Sequence, residues 1–87
     1  MIRESVLVKN ASGLHARPAA MFVNEARRYE SELTVWKGEK SCNGKSMLSL
    51  LALGVGAGCE IALACEGSDE SEALEAMVKL VNSGFGE

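Results

Sequence analysis

Four short segments of the chain either alternate hydrophobic with polar residues or are rich in β-branched ones, a pattern typical of β-strands. In the clearest of them Ile61, Leu63 and Cys65 share one face, while small alanines occupy the other. A Lys-Gly-Glu turn at 37–39 predicts a tight hairpin between two of the segments. The four predicted strands cover residues 2–8, 32–36, 40–43 and 60–66.

Three further segments carry hydrophobic residues at the spacing of an amphipathic helix. Pro18 fits the first turn of the first helix, where N–H groups have no helical partner. Ser46 is a typical N-cap before the second helix, and Asp69 with Glu72 predicts a capping box for the third. The predicted helices cover residues 16–28, 47–53 and 69–84.

The order of elements is therefore βαββαβα in a chain of 87 residues. Strands interleaved with three helices in so short a chain indicate an α+β fold. We expect an open-faced α/β sandwich, in which helices cover one face of a four-stranded, mainly antiparallel sheet. A chain of this length has room for one domain, residues 1–87.

Composition narrows the possible functions. The net charge of -3 offers no basic stripe for binding nucleic acid. Cys42, Cys59 and Cys65 are odd in number and lack a C-x-x-C pair, which argues against a disulfide framework and a zinc site and favours reduced, buried thiols. The longest apolar stretch, 47–55, is too short to span a bilayer, and no signal peptide is recognisable. We therefore expect a cytoplasmic protein without membrane insertion.

The only histidine, His15, lies at the predicted junction of the first strand and helix. N–H groups without partners and the positive end of the helix dipole would stabilise an anion there. A neutral imidazole is a nucleophile, and Arg17 can reach the oxygens of a phosphoryl group. Spacing alone leaves open that His15 is an ordinary exposed or capping residue. With no nearby carboxylate and no metal-ligand pair, a reactive His15 indicates a carrier rather than an autonomous enzyme.

The segment Gly13-Leu14-His15-Ala16-Arg17-Pro18-Ala19-Ala20 resembles the active-site segment of the HPr family, the histidine-containing phosphocarriers of the bacterial phosphotransferase system. The resemblance extends over essentially the whole chain. It includes Gly44-Lys45-Ser46 before the second helix, the glycines after Leu53, and Gly67-Ser-Asp-Glu before the third helix. The βαββαβα order also agrees with the fold of that family.

This resemblance implies that His15 accepts phosphate at Nδ1 from Enzyme I and gives it to an EIIA-type domain. Arg17 would be the charge partner, and the backbone around Ala16 and Arg17 would complete the phosphate site, with no cofactor and no metal. The resemblance also implies phosphorylation of Ser46 by the HPr kinase/phosphorylase. From the sequence alone a serine at this position is most often just an N-cap.

The apolar residues of the second helix are too many to be buried on every side. By resemblance, some of them form a docking patch for acidic partners beside His15, with a basic rim that suits transient exchange. The predicted partner-binding residues are Ala20, Met21, Met47, Leu48 and Leu51, rimmed by Arg17, Arg27 and Lys45.

Several functions remain open at this point. The leading interpretation is a monomeric carrier in the sugar phosphotransferase system. The residues around Ser46, with Gly44 before it and Met47-Leu48-Ser49 after it, depart from the best-known sugar-transporting forms, so a nitrogen-related (NPr-like) relay is an alternative. Another is a regulatory protein whose phosphorylated Ser46 is recognised by a transcriptional regulator. The presence of His15 sets the chain apart from the Crh type, which lacks that histidine.

Overall fold

The alternating segments form one antiparallel sheet in the computed structural model, which describes residues 1–87. Its elements are β1 (Ile2–Leu7), α1 (Ala16–Ala26), β2 (Glu32–Lys37), β3 (Lys40–Asn43), α2 (Met47–Leu53), β4 (Glu60–Glu66), α3 (Glu70–Asn82) and a 3₁₀ turn (Gly84–Gly86). The strand order is β1-β4-β2-β3, and each neighbouring pair is antiparallel. This confirms the predicted open-faced sandwich.

The core lies between the sheet and the three helices. Leu63 in β4, one of the two inner strands, is fully buried on the helix side of the sheet. Each helix contributes a fully buried side chain: Phe22 from α1, Leu50 from α2 and Met77 from α3. Burying one such side chain contributes about 1.5–3 kcal/mol to folding, so a few of them supply much of the stability of so small a chain. None of the helices has the length and apolar character that crossing a bilayer requires.

The opposite face of the sheet explains the alanines of β4. The register places Ala64 beside Arg3 of β1, and Ala62 beside Trp36 of β2. The Arg3 guanidinium carbon lies 5.4 Å from the centroid of the Trp36 ring. Because β1 and β2 flank β4, this cation–π contact crosses β4, and only small side chains fit beneath it.

Two helices end two residues earlier than the sequence predicts. Helix α1 ends at Ala26, because the chain tightens there into hydrogen bonds from Arg28 N–H to the Glu25 carbonyl and from Tyr29 N–H to the Ala26 carbonyl. These bonds span three residues, as in a 3₁₀ turn, and such a turn commonly closes a helix. Helix α3 ends at Asn82 and gives way to the 3₁₀ turn.

The predicted capping box of Asp69 and Glu72 is wrong. Asp69 does precede α3, but its side chain makes no bond to the helix. Instead its carboxylate accepts the backbone N–H groups of Glu30 (3.0 Å) and Ser31 (2.9 Å) and the hydroxyl of Ser31. The Asp69 carboxylate therefore accepts three hydrogen bonds from the α1–β2 connection, instead of the single N–H of α3 that a cap would accept.

Glu70, the first residue of α3, folds its side chain back onto the turn before the helix. Its Oε1 accepts the N–H of Gly67 at 3.1 Å, and its Oε2 lies 3.4 Å from the amino group of Met1. The pKa of Glu70 is lowered, mainly by the Gly67 hydrogen bond and then by the positive charge of the amino terminus.

The three cysteines are free thiols. Cys65 is buried, as expected, whereas Cys42 and Cys59 are only half-buried. Burial raises the pKa of Cys65, and the nearby charges of Glu70 and Asp69 add to the effect. A raised pKa keeps this thiol protonated and unreactive at neutral pH.

We predict that Asp69→Asn destabilises the protein in a pH-dependent way. The pKa of Asp69 is lowered, chiefly by the Ser31 hydroxyl and then by the Glu30 N–H. The carboxylate therefore stabilises the fold above its unfolded-state pKa of about 4, and this contribution is lost as the pH falls through the lower pKa of the folded state. Thermal unfolding followed by circular dichroism should show a lower Tm for the variant at pH 7 and a smaller difference at about pH 3.

Glu39→Gln is the matched control, because Glu39 is an exposed carboxylate at the tip of the β2–β3 hairpin. Its Tm should follow that of the unmodified protein at both pH values. An Asp69→Asn difference of equal size at both pH values would contradict the assignment.

Candidate functional site

His15 stands at the start of α1 with a free side chain. It is exposed, has extended backbone angles (φ -125°, ψ 156°), and makes no side-chain hydrogen bond to the helix that follows. It is therefore not a capping histidine, and its side chain is open to solvent. No group of three or more His, Cys, Asp or Glu side chains in the protein is placed to hold a metal ion.

The loop that carries this histidine, residues 8–15, is called here the histidine loop. It rests on residues 54–59, the supporting turn that follows α2. Both ends of the histidine loop are fastened to the supporting turn by backbone hydrogen bonds: Leu14 N–H to the Val55 carbonyl (3.0 Å), Val8 N–H to the Cys59 carbonyl (2.9 Å) and Gly58 N–H to the Val8 carbonyl (2.7 Å).

Gly13 allows the two segments to approach this closely. It has a φ of 62°, in the left-handed region, and its N–H bonds to the Asn10 carbonyl at 3.1 Å. A Cβ at this position would lie 2.6 Å from the Val55 oxygen and 2.7 Å from the Gly56 Cα. Any other residue would thus clash with the backbone as well as strain its own φ angle.

The backbone directly after His15 is strained. Ala16, the first residue of α1, has a φ of 48°, which costs a non-glycine residue roughly 1–2 kcal/mol. Helix geometry leaves the N–H groups of Ala16 and Arg17 without helical partners, while Pro18 has no N–H to offer. These two donors and the positive end of the α1 dipole are therefore available to an anion on His15.

Glu87, which sequence reasoning missed, holds the histidine loop through Ser12 and Asn10. Its carboxylate accepts the N–H (3.2 Å) and the hydroxyl (2.5 Å) of Ser12. The side-chain amide of Asn10 reaches the same carboxylate at 3.4 Å and the Gly13 carbonyl at 2.8 Å. Buried Phe85 anchors the tail that brings Glu87 there. No local pattern could have indicated a partner 75 positions away.

Arg17 lies close to His15 in the chain, and its charge also acts on Glu87. The pKa of Glu87 is lowered, first by the Ser12 hydroxyl, then by the Ser12 N–H, and to a smaller extent by Asn10 and by the charge of Arg17. The guanidinium of Arg17 is exposed and lies in the first turn of α1, two residues after His15. The charge of Arg17 thus acts on one carboxylate, and the residue lies one position from Ala16 and two from His15.

Ser46 is the N-cap of α2, as predicted. Its side-chain oxygen accepts the N–H of Ser49 at 3.3 Å, and the residue is half-buried.

The two basic residues expected at the rim differ from each other. Lys45 turns inward and donates its ammonium group to the Tyr29 carbonyl at 2.6 Å. Arg27 donates only Nε, to the Lys45 carbonyl at 3.2 Å, so its terminal nitrogens remain available.

The predicted docking patch is exposed mainly on α2. Leu48 is 80% exposed and Leu51 is 37% exposed. Met47 and Met21 pack partly against the core, and Ala20 is half-buried, so these three offer less surface than the sequence predicted. That this patch binds partners stays a prediction.

Comparisons with known proteins match this arrangement over nearly the whole chain. The family model described as the PTS HPr component phosphorylation site matches residues 2–83. An HPr-like protein Crh of Halalkalibacterium halodurans is 46% identical over 81 residues, which is 93% of this chain and 96% of that protein. The phosphocarrier protein HPr of Neisseria meningitidis is 39% identical over 87 residues, which is 100% of this chain and 98% of that protein.

A solved structure agrees with the sequence matches. The crystal structure of an HPr from Thermoanaerobacter tengcongensis superimposes with a TM-score of 0.98 at 45% identity, covering 100% of this chain and 98% of that one. The fold, the family model and full-length relatives of this identity agree with one another. The chain therefore belongs to the HPr family of phosphocarrier proteins.

Proposed function

We propose that the protein accepts a phosphoryl group from phospho-Enzyme I on Nδ1 of His15 and passes it to an EIIA-type domain. The observation that supports this most directly is the exposed, unbonded imidazole of His15 at the start of α1. The imidazole attacks the phosphorus atom as the bond to the donor breaks. The new anion then lies beside Arg17 and the free N–H groups of Ala16 and Arg17.

Exposure matters as much as stabilisation for a carrier. A phosphoryl group that is buried and tightly held would not be released to the next acceptor. At the start of α1 the anion is stabilised from one side only, and a partner can approach from the solvent side. We further propose that residues 1–87 act as a single monomeric, cytoplasmic domain without a bound cofactor.

The similarity to Crh favours a second, regulatory candidate function. One Crh structure from Bacillus subtilis is described as a catabolite repression HPr. In this candidate, phosphorylation of Ser46 by an HPr kinase/phosphorylase creates the surface that a transcriptional regulator recognises. The two functions are compatible, because the chain has both His15 and Ser46. A nitrogen-related (NPr-like) relay uses the same chemistry with other exchange partners, so a panel of purified EIIA-type domains distinguishes it from the sugar branch.

Phosphorylation by Enzyme I and phosphoenolpyruvate tests the carrier function. We expect an acid-labile phosphate that maps to His15, no label on His15→Ala, and full label on Ser46→Ala as the matched control. The His15→Ala variant should keep the Tm of the unmodified protein, because this exposed side chain makes no hydrogen bond. Label retained on a folded His15→Ala variant would refute the assignment.

Incubation with purified HPr kinase/phosphorylase and ATP tests the regulatory function. We expect acid-stable label that is lost in Ser46→Ala and kept in Ser49→Ala, a serine on the same helix. Phosphoserine adds about -1.5 to -2 charges beside the docking patch. Phosphorylation by Enzyme I should therefore slow down in the labelled protein. If the unmodified protein takes no label from an active kinase, the regulatory candidate fails.

Leu48→Asp tests the docking patch. A charge on the most exposed leucine should raise the KM for Enzyme I about tenfold, equivalent to about 1.4 kcal/mol, and leave the Tm nearly unchanged. Leu7→Asp is the control, because Leu7 is also partly exposed, at 47%, but lies on β1. Equal KM values for the two variants would show that Leu48 is not part of the docking surface.

A further inference from the structure

The supporting turn begins at Gly54, where α2 ends. Gly54 has a φ of 72° and is the C-cap residue of the helix. Its carbonyl accepts a hydrogen bond from the ammonium group of Lys37, with a nitrogen–oxygen distance of 2.6 Å. This is the only side-chain hydrogen bond that reaches residues 54–59; the other bonds to the turn are backbone bonds.

The contact has a clear physical basis. The last carbonyls of a helix lack N–H partners and carry the negative end of the dipole, so a cation is favoured there. A short bond from an ammonium group to such a carbonyl is a charge-assisted hydrogen bond. Lys37 is the last residue of β2 and is half-buried, so its backbone is held by the sheet. The sheet therefore fixes one end of the supporting turn through this side chain.

The contacts that begin at Lys37 continue through the supporting turn to the residue before His15. Val55 follows Gly54 directly, and its carbonyl accepts the N–H of Leu14 at 3.0 Å. Val55 and Leu14 are both buried almost completely, so the backbone between the Lys37 contact and the histidine loop has little freedom to move. Gly13 rests on the same carbonyl.

We propose that Lys37 is a positioning residue for phosphoryl acceptance, acting through the supporting turn on the histidine loop. This inference rests on the proposed function of His15. Lys37 itself touches neither His15 nor the phosphoryl group. Without its ammonium group the turn keeps its backbone bonds but loses its side-chain anchor, and the Leu14 N–H bond opens more often. When the phosphoacceptor atom moves away from the line of attack on phosphorus, the rate of phosphoryl transfer falls steeply.

Lys37→Met is the test, and Lys40→Met is the matched control. Lys40 lies directly opposite Lys37 in the β2–β3 hairpin and is exposed, so its variant loses the same charge on the same element without changing the supporting turn. Lys37→Arg restores a cation with donors and should recover most of the effect.

Two measurements on these variants separate positioning from general stability. Hydrogen exchange followed by NMR on the unphosphorylated protein should show the Leu14 amide exchanging at least about threefold faster in Lys37→Met, with the amide of Leu63 in β4 unchanged. The kcat for phosphorylation by Enzyme I should fall about threefold to tenfold, with KM within about twofold of that of the unmodified protein.

The outcomes are distinct. Unchanged Leu14 exchange in Lys37→Met, or an equal effect in Lys40→Met, overturns the positioning of the loop by Lys37. Faster Leu14 exchange with an unaltered kcat shows that the loop moves without affecting the reaction, and also overturns the proposal. If the unmodified protein takes no phosphate on His15, the proposed function fails, whereas the exchange measurement still reports on the structural contact.

Discussion

The close approach of Gly13 to the backbone of Val55 and Gly56 is the contact on which the candidate site depends. It lets two irregular segments pack as tightly as neighbouring strands, although neither belongs to the sheet. Val8 and Leu14 at the ends of the histidine loop are buried almost completely, so the loop is part of the core on its inner side. His15 can therefore be exposed to solvent and still be held in place, because Gly13 and Leu14, directly before it in the loop, are buried.

The elements that depend on neighbouring residues were predictable from the sequence. The alternation in β4, the hairpin at 37–39 and the N-cap of Ser46 need only residues within a few positions of each other, and all three occur as predicted. The predicted capping box failed because Asp69 finds three donors 38 and 39 positions earlier in the chain, on the α1–β2 connection. A sequence pattern shows which nearby groups a side chain can bond. It does not show a distant group that the fold brings closer and that binds the side chain instead.

In the candidate site, too, features set by neighbouring residues were predictable and a feature set by distant residues was not. The sequence predicts His15, Arg17 and Ser46 as site residues because their chemistry and their resemblance to the family lie in adjacent residues, and these roles stay predictions. Glu87 was missed, since only the folded chain brings it to Ser12. The apolar residues of α2 were recognised as too many for the core, but the sequence alone did not show which side faces out. Leu50 and Leu53 take the core positions, and Leu48 and Leu51 are left on the surface.

Helix α2 links Ser46 to the turn that supports the loop of His15. Ser46 caps its first turn, and Gly54 at its other end begins the supporting turn on which the histidine loop rests. A helix of seven residues spans only about 10 Å and has no weak point such as a proline, so its two ends move together. If Ser46 is phosphorylated, this arrangement offers two routes to His15: the added charge beside the docking patch, and a displacement of α2 passed on to the supporting turn at Gly54. Charge repulsion weakens with added salt, whereas a mechanical effect through α2 does not, and the dependence on ionic strength therefore separates the two routes.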